Sequence, residues 1–248
     1  MHNREIQRRN IGEMRNMIQH TEQTGSEGAI PVRKYEAVIF DLDGTLLNTL
    51  EDLTDSVNVA LASVGCAARS IEEVRHFVGN GVRRLMERAL PGGADDPRFP
   101  AAFAAFGRDY AVHCNRKTRA YPGIPELLRA LRAAGVRTAV VSNKTESAVR
   151  RLCGVYFDGL VEIAVGDVAG RARKPAPDAV LAALDALSLP AARAVYVGDS
   201  EVDIETARRA GLPCISVLWG FRDADCLRAA GASQMVRDAE QLRKCLLG

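Results

Sequence analysis

Two aspartates stand two residues apart in "VIFDLDGTLLNT", residues 38–49, at the end of an apolar run. A buried carboxylate is costly unless a cation or hydrogen-bond donors meet it. Asp41 and Asp43 therefore need a positively charged partner or a reaction that uses them. Further polar groups follow in "VVSNK" (Ser142, Asn143, Lys144), "RKPAPD" (Lys174) and "VGDSEVD" (Asp199, Asp203). Two or three carboxylates make a hard oxygen site suited to Mg²⁺, which keeps several waters and pairs readily with phosphate. A serine hydroxyl and a lysine are donors suited to phosphate oxygens. Cation and lysine together would offset the repulsion between a carboxylate nucleophile and an anionic phosphate. A carboxylate attacking phosphorus gives an aspartyl-phosphate, a recognised covalent strategy. None of the four histidines (His2, His20, His76, His113) lies near these motifs, so proton transfer falls to a carboxylate or a lysine.

The elements that must position these groups are legible as a pattern. "AVIF" (37–40), "VRTAVV" (136–141), "LVEIAV" (160–165), "AVYVG" (194–198) and "PCISVL" (213–218) are short, β-branched and largely apolar. Runs of this kind suit strands covered on both faces. Helical stretches separate them. Ile124, Leu127, Leu128 and Leu131 share one face before Gly135, as do Val180, Leu181, Leu184 and Leu187, and a third helix stops at Gly211 and Pro213. The alternation predicts a parallel α/β sheet with right-handed crossovers. Asp41, Ser142 and Asp199 then all fall at carboxyl ends of strands, where open α/β sheets bind ligands.

Between the first strand and Tyr121 the period is helical only. Leu50, Leu53, Val57, Leu61 and Val64 form one stripe; Ile71, Val74, Val78, Val82, Leu85 and Met86 form another, broken by "GNG" at 79–81. Phe99, Phe103, Phe106 and Tyr110 form an aromatic stripe whose spacing predicts core packing. The expected organisation is an α/β core from residues 35–48 and 121–248 with a helical insert at 49–120. The crossings near 48–50 and 118–121 are candidate hinges, and such an insert can act as a lid. Residues 1–34 read as a polar, mobile extension in which a short helix around 11–18 could form.

Composition narrows the function. The 248 residues are 47% hydrophobic and 26% charged, as in ordinary soluble globular proteins. Net charge is +2, and the first 34 residues supply it, so no basic surface of the kind nucleic acid demands is implied. No stretch approaches the roughly 18 apolar residues of a membrane span, and the N-terminus lacks an apolar signal core. Six scattered cysteines without a CxxC pair suit free thiols in a reducing cytoplasm. A monomer and a homodimer are both compatible with these features.

The four motifs in this order, over residues 36–225, resemble those of the haloacid dehalogenase-like (HAD) superfamily. The helical insertion resembles its C1-type cap domain, so the expected fold is a Rossmann-like HAD core carrying that cap. "FVGNGVRRLMERAL" (77–90), "YPGIPELL" (121–128) and "SNK" are similar to phosphoglycolate phosphatase-like members. The resemblance implies Asp41 as nucleophile and Mg²⁺ ligand, and Asp43 as general acid and then base, its carbonyl also on the metal. Gly44 would allow the turn between them and Thr45 would orient Asp43. Ser142 and Asn143 would hold phosphoryl oxygens, and Lys174 would neutralise charge. Asp199 would bind the metal, with Asp203 supporting it or Lys174. For the leaving group, Asn80, Arg83, Arg84 and Lys144 are the candidate readers, with the flexible Gly79–Gly81 loop supplying N–H groups.

The implied activity is Mg²⁺-dependent hydrolysis of a small phosphorylated metabolite, phosphoglycolate first. Asp43 argues against a dehalogenase, which does not need that acid. A β-phosphoglucomutase-like phosphotransferase and a pyrophosphatase remain as alternatives. A non-catalytic HAD-fold binding protein is disfavoured because no motif is lost.

Overall fold

The computed structural model describes residues 34–248; the extension expected at 1–34, apart from Lys34, lies outside them. Six strands form one sheet: β1 (Ala37–Phe40), β4 (Arg137–Thr145), β5 (Ile163–Asp167), β6 (Ala194–Gly198), β7 (Cys214–Val217) and β8 (Met235–Val236). Their order is β5-β4-β1-β6-β7-β8, and every neighbouring pair runs parallel. The strand order reverses direction at β1, which therefore marks the switch point where such sheets open a ligand crevice.

Both faces of this sheet are covered, which explains why its strands read as apolar runs rather than alternating ones. Val38 and Phe40 of β1 pack with helices α5 (Ile124–Ala133), α6 (Glu146–Phe157) and α10 (Ala239–Leu247). Ala37 and Ile39 face the opposite way, toward α7 (Asp178–Ala186) and α8 (Glu201–Ala210). Two details differ from expectation. Leu181 is 49% exposed, because Ala179 and Ala183 take the sheet-facing positions beside Val180 and Leu184. Strand β5 begins at Ile163 rather than Leu160, since the backbone at 158–160 still forms the turn out of α6. A short helix α9 (Ala224–Ala229) links β7 to β8.

The inserted segment is a helical cap with its own core. Helices α1 (Leu50–Ser63), α2 (Ile71–Phe77), α3 (Gly81–Ala89) and α4 (Phe99–His113) bury Leu53, Val57, Leu61, Val74, Leu85 and Met86 together. Ile71, assigned to the apolar stripe, is instead 44% exposed at the first turn of α2. The aromatic stripe does pack: Phe99 stacks on Phe103, and Phe106 on Tyr110. A two-stranded antiparallel ribbon, β2 (Leu47–Asn48) with β3 (Arg119–Ala120), holds the two crossings side by side.

One buried carboxylate fixes the return crossing. Asp52 accepts N–H groups from Arg116, Lys117 and Thr118 at 2.8–3.1 Å and the Thr118 hydroxyl at 2.7 Å. Removing it takes the acceptor from three backbone donors and from the buried Thr118 hydroxyl. We expect Asp52→Ala to cost about 2–4 kcal/mol in urea unfolding. An unchanged midpoint would show that water replaces the carboxylate without loss.

Candidate active site

The sequence motifs converge because three lie at the carboxyl ends of neighbouring strands and the fourth, carrying Lys174, lies in the loop from β5 to α7. Asp41 leaves β1, its N–H bonded to the Val197 carbonyl of β6 at 2.9 Å. Ser142 and Lys144 sit on the distal part of β4, and Asp199 and Ser200 lead from β6 into α8. Asp41, Asp43, Ser142, Lys144, Lys174 and Asp199 line one narrow cleft of about 60 Å³. Its opposite wall comes from the cap, through Leu53, Val82 and Leu85, beside the 78–81 loop.

Two buried lysines organise the acids. Lys174 Nζ lies 2.8 Å from both Asp41 Oδ1 and Asp203 Oδ1, and 3.0 Å from the Tyr196 hydroxyl. Lys144 Nζ lies 2.9 and 3.0 Å from the two oxygens of Asp43 and 2.6 Å from the Tyr110 hydroxyl. Burial alone would push both lysines toward neutrality; Asp203 and Asp41 outweigh it for Lys174, as Asp43 and Tyr110 do for Lys144, holding each ammonium charged. Burial raises the carboxyl of Asp41 well above its ordinary range, against the pull of Lys174.

Asp199 is enclosed more tightly. Its oxygens accept the Thr45 hydroxyl at 3.1 Å and the Phe221 N–H at 2.7 Å. Burial, followed by the charge of Asp203, pushes it up to about 7. Gly44, at φ +90°, and Gly220 flank it so closely that a Cβ on either would come within 2.4 Å of Asp199. Thr45, expected to orient Asp43, thus donates to Asp199 instead. The reason is the turn at Gly44, which carries residue 45 back across the strand end.

The acid cluster has the chemistry of a divalent-cation site. Oxygens of Asp41, Asp199 and Asp203 lie within 4.8 Å of one another, all buried. Crowded carboxylates with raised pKa values are what a bound cation relieves. Asp203 is the least available. Its Oδ2 accepts from the N–H groups of Asp199 and Ser200 and the Ser200 hydroxyl, while Oδ1 receives Lys174 and the Tyr196 hydroxyl. It closes the capping box that begins α8 and anchors Lys174 with its other oxygen. Asp41 and Asp199 carry fewer donors and are therefore the carboxylates better placed to face a metal.

The residues proposed to read the leaving group divide. Asn80, Arg83 and Arg84 do not line the cleft; with Arg88 and Arg173 they border a separate depression of about 900 Å³. Glu87 draws Arg83 and Arg84 away at 3.0 and 2.7 Å, and the side-chain amide oxygen of Asn80 accepts from Arg88. Lys144 lines the cleft, but Asp43 and Tyr110 already engage its ammonium. Asn143 ties the motifs together: its amide bonds the Lys174 backbone at both ends and the Gly79 carbonyl of the cap.

Several groups escaped the sequence reading. Tyr196 bridges Lys174 and Asp203 from within β6, and Trp219 Nε1 donates to the Thr45 carbonyl at 3.0 Å. Arg222 enters the cleft and bonds the carbonyls of Arg75 and Val78 in the cap. Residues 219–222 follow the predicted strand "PCISVL", so the strand-end rule that found Asp41 and Asp199 could have flagged them too. Tyr110 carried no such signal, since an aromatic at helical spacing reads as core.

Comparison with known proteins agrees with this geometry. The model of the family "Haloacid dehalogenase-like hydrolase" matches residues 38–217. A phosphoglycolate phosphatase of Pseudomonas putida is 33% identical over 88% of this chain and 82% of its own length. One from Rhodospirillum rubrum is 38% identical over 75% of this chain and 80% of its own. A crystal structure from Lactobacillus delbrueckii subsp. bulgaricus, itself a proposed phosphoglycolate phosphatase, superposes with TM-score 0.83 at 38% identity, covering 87% of this chain and 99% of that one. With its motifs gathered at one sheet edge beneath a helical cap, the chain belongs to the haloacid dehalogenase-like hydrolase family.

Proposed function

We propose that this chain is a cytoplasmic, Mg²⁺-dependent phosphomonoesterase acting on phosphoglycolate or a similarly small phosphorylated acid. One observation carries the reading: two pairs formed by buried lysines, Lys174–Asp41 and Lys144–Asp43, meet across a cleft of about 60 Å³. Asp41 attacks phosphorus, and the bond to the leaving alcohol oxygen breaks as the aspartyl-phosphate forms. Asp43 gives that oxygen a proton, then takes one from the water that hydrolyses the acyl-phosphate and restores Asp41. Lys174 lowers the repulsion between Asp41 and the incoming phosphate, and Ser142 offers its hydroxyl to a phosphoryl oxygen. Asp41 and Asp199 would hold Mg²⁺, which when bound would supply the remaining positive charge that two anions need to approach. Lys144 sets the direction in which Asp43 presents its oxygens.

The leaving-group side favours a small anion. Helix α3 opens toward the cleft at Gly81 and Val82 with no acidic residue in its first turn and no side-chain cap. Unpaired N–H groups at such a terminus suit a carboxylate. The phosphoglycolate phosphatases that this chain resembles support the same substrate class.

Three measurements test the reading. Asp41→Asn is expected to lower Mg²⁺-dependent p-nitrophenyl phosphate turnover by about a thousandfold or more; unchanged turnover would remove the nucleophile assignment. Across a panel of phosphorylated metabolites, kcat/KM should be highest for phosphoglycolate. Preference for pyrophosphate or sugar phosphates would move the substrate class, and hexose phosphate isomerisation without phosphate release would point to a phosphotransferase.

The third measurement follows from Asp199. Its folded pKa, about 7, lies above the ordinary value of 3.8, so without metal the folded state binds the extra proton between those values. Metal-free stability therefore falls as pH rises through this window. A bound cation replaces that proton. The rise in Tm on adding Mg²⁺ should accordingly be larger at pH 8 than at pH 5, and the reverse order would exclude Asp199 as a ligand.

A further inference from the structure

A second cavity lies between cap and core, beside the reaction cleft. It measures about 490 Å³, and Phe103, Phe106 and Ala111 of α4 give it a largely apolar lining. Val82 and Lys144 line both spaces; Asp43 faces only the cleft, and Tyr110 faces only the larger cavity. Lys144 and Val82 thus stand between them. Tyr110 stands behind Lys144. Its ring centroid is 4.8 Å from Lys144 Nζ, its hydroxyl accepts that ammonium at 2.6 Å, and its other side stacks on Phe106 at 5.2 Å.

We propose that Tyr110 is a specificity-determining residue whose ring keeps the two cavities apart and so confines the enzyme to small leaving groups. The inference rests on the phosphomonoesterase reading and deepens it. Lys144 has a long, flexible stem, and its place is fixed by Asp43 on one side and by the hydroxyl and ring of Tyr110 on the other. With the ring removed, the stem gains room to swing toward α4, and the cleft joins the apolar cavity behind it. The joined space would take a phosphomonoester with an aromatic leaving group. No acidic side chain lines the larger cavity, and its aromatic walls suit face or edge contacts with such a ring.

Bulk and hydroxyl are separable by substitution. The measured quantity is the ratio of kcat/KM for naphthyl phosphate to kcat/KM for phosphoglycolate. Tyr110→Ala is expected to raise this ratio by at least about tenfold. Tyr110→Phe keeps the ring and should leave the ratio within about twofold of the parent, although Lys144 loses an acceptor. Tyr110→Leu retains apolar packing with less volume and should shift the ratio in the same direction as alanine. If thermal unfolding shows that the alanine variant does not fold, the leucine and phenylalanine variants decide the matter. An unchanged ratio in folded alanine or leucine variants overturns the partition. Equal broadening by phenylalanine and alanine also overturns it, because the hydroxyl rather than the ring would then be responsible. A parent protein that releases phosphate from neither ester overturns the phosphomonoesterase reading itself, a result distinct from failure of the partition.

Discussion

Burying three carboxylates within 4.8 Å of one another is the constraint on which the rest of the structure depends. Like charges at that spacing oppose each other strongly in a dry interior, and burial adds to the opposition. The chain answers with one buried ammonium, Lys174, placed on Asp41 and Asp203 at once. Asp203 is further held by two N–H groups and a hydroxyl at the start of α8, so its charge is spread over a helix terminus. Asp41 and Asp199 have fewer donors, and both are shifted toward the protonated form. The imbalance is local and directional. It leaves a demand for positive charge at the two oxygens that face the cleft, where a cation and a phosphate would sit together.

That constraint also selects the sheet. Strand ends in a parallel sheet deliver residues from distant parts of the sequence to one edge, with helix N-termini close by. β1 lies between β4 and β6, so Asp41 is flanked by the carriers of Ser142 and Asp199. The glycines follow from the same crowding. Gly44 and Gly220 stand where any side chain would strike Asp199, so the acid is walled by backbone rather than by movable groups.

Much of this was legible because the catalytic chemistry is local to motifs. The strands, the parallel sheet, the helical cap and the order of Asp41, Ser142, Lys174 and Asp199 all followed from apolar runs and strand-end acids. What failed was assignment of long cationic side chains. Arg83 and Arg84 directly follow the cleft-facing Val82, which turns them to other faces of α3, and Glu87 captures both; proximity in sequence alone does not say which neighbour wins. Lys144 is a candidate reader of the leaving group because its ammonium could bind a carboxylate. Its partners are Asp43, 101 residues away, and Tyr110, 34 residues away, so only the tertiary fold reveals them. Leu181 shows the same limit in the core, where alanines rather than the larger side chain meet the sheet.

The core reaches the cap through side chains that belong to the site itself. Asn143 bonds the Gly79 carbonyl, Lys144 bonds the Tyr110 hydroxyl, and Arg222 bonds the carbonyls of Arg75 and Val78. The Arg75 and Val78 carbonyls lie at the carboxyl end of α2, where helix carbonyls lack intrahelical partners and a guanidinium is favoured. Arg222 also holds Glu201, the first residue of α8, so the helix that carries Asp203 and the helix end in the cap share one cation. Displacing the cap would return these groups to water, where each hydrogen bond is replaceable at little net cost. The arrangement of Lys144 over Asp43, however, depends on Tyr110 remaining in place. Cap position and the orientation of Asp43 are therefore set by the same contacts, which makes the cap part of the geometry of the site as well as a cover over it.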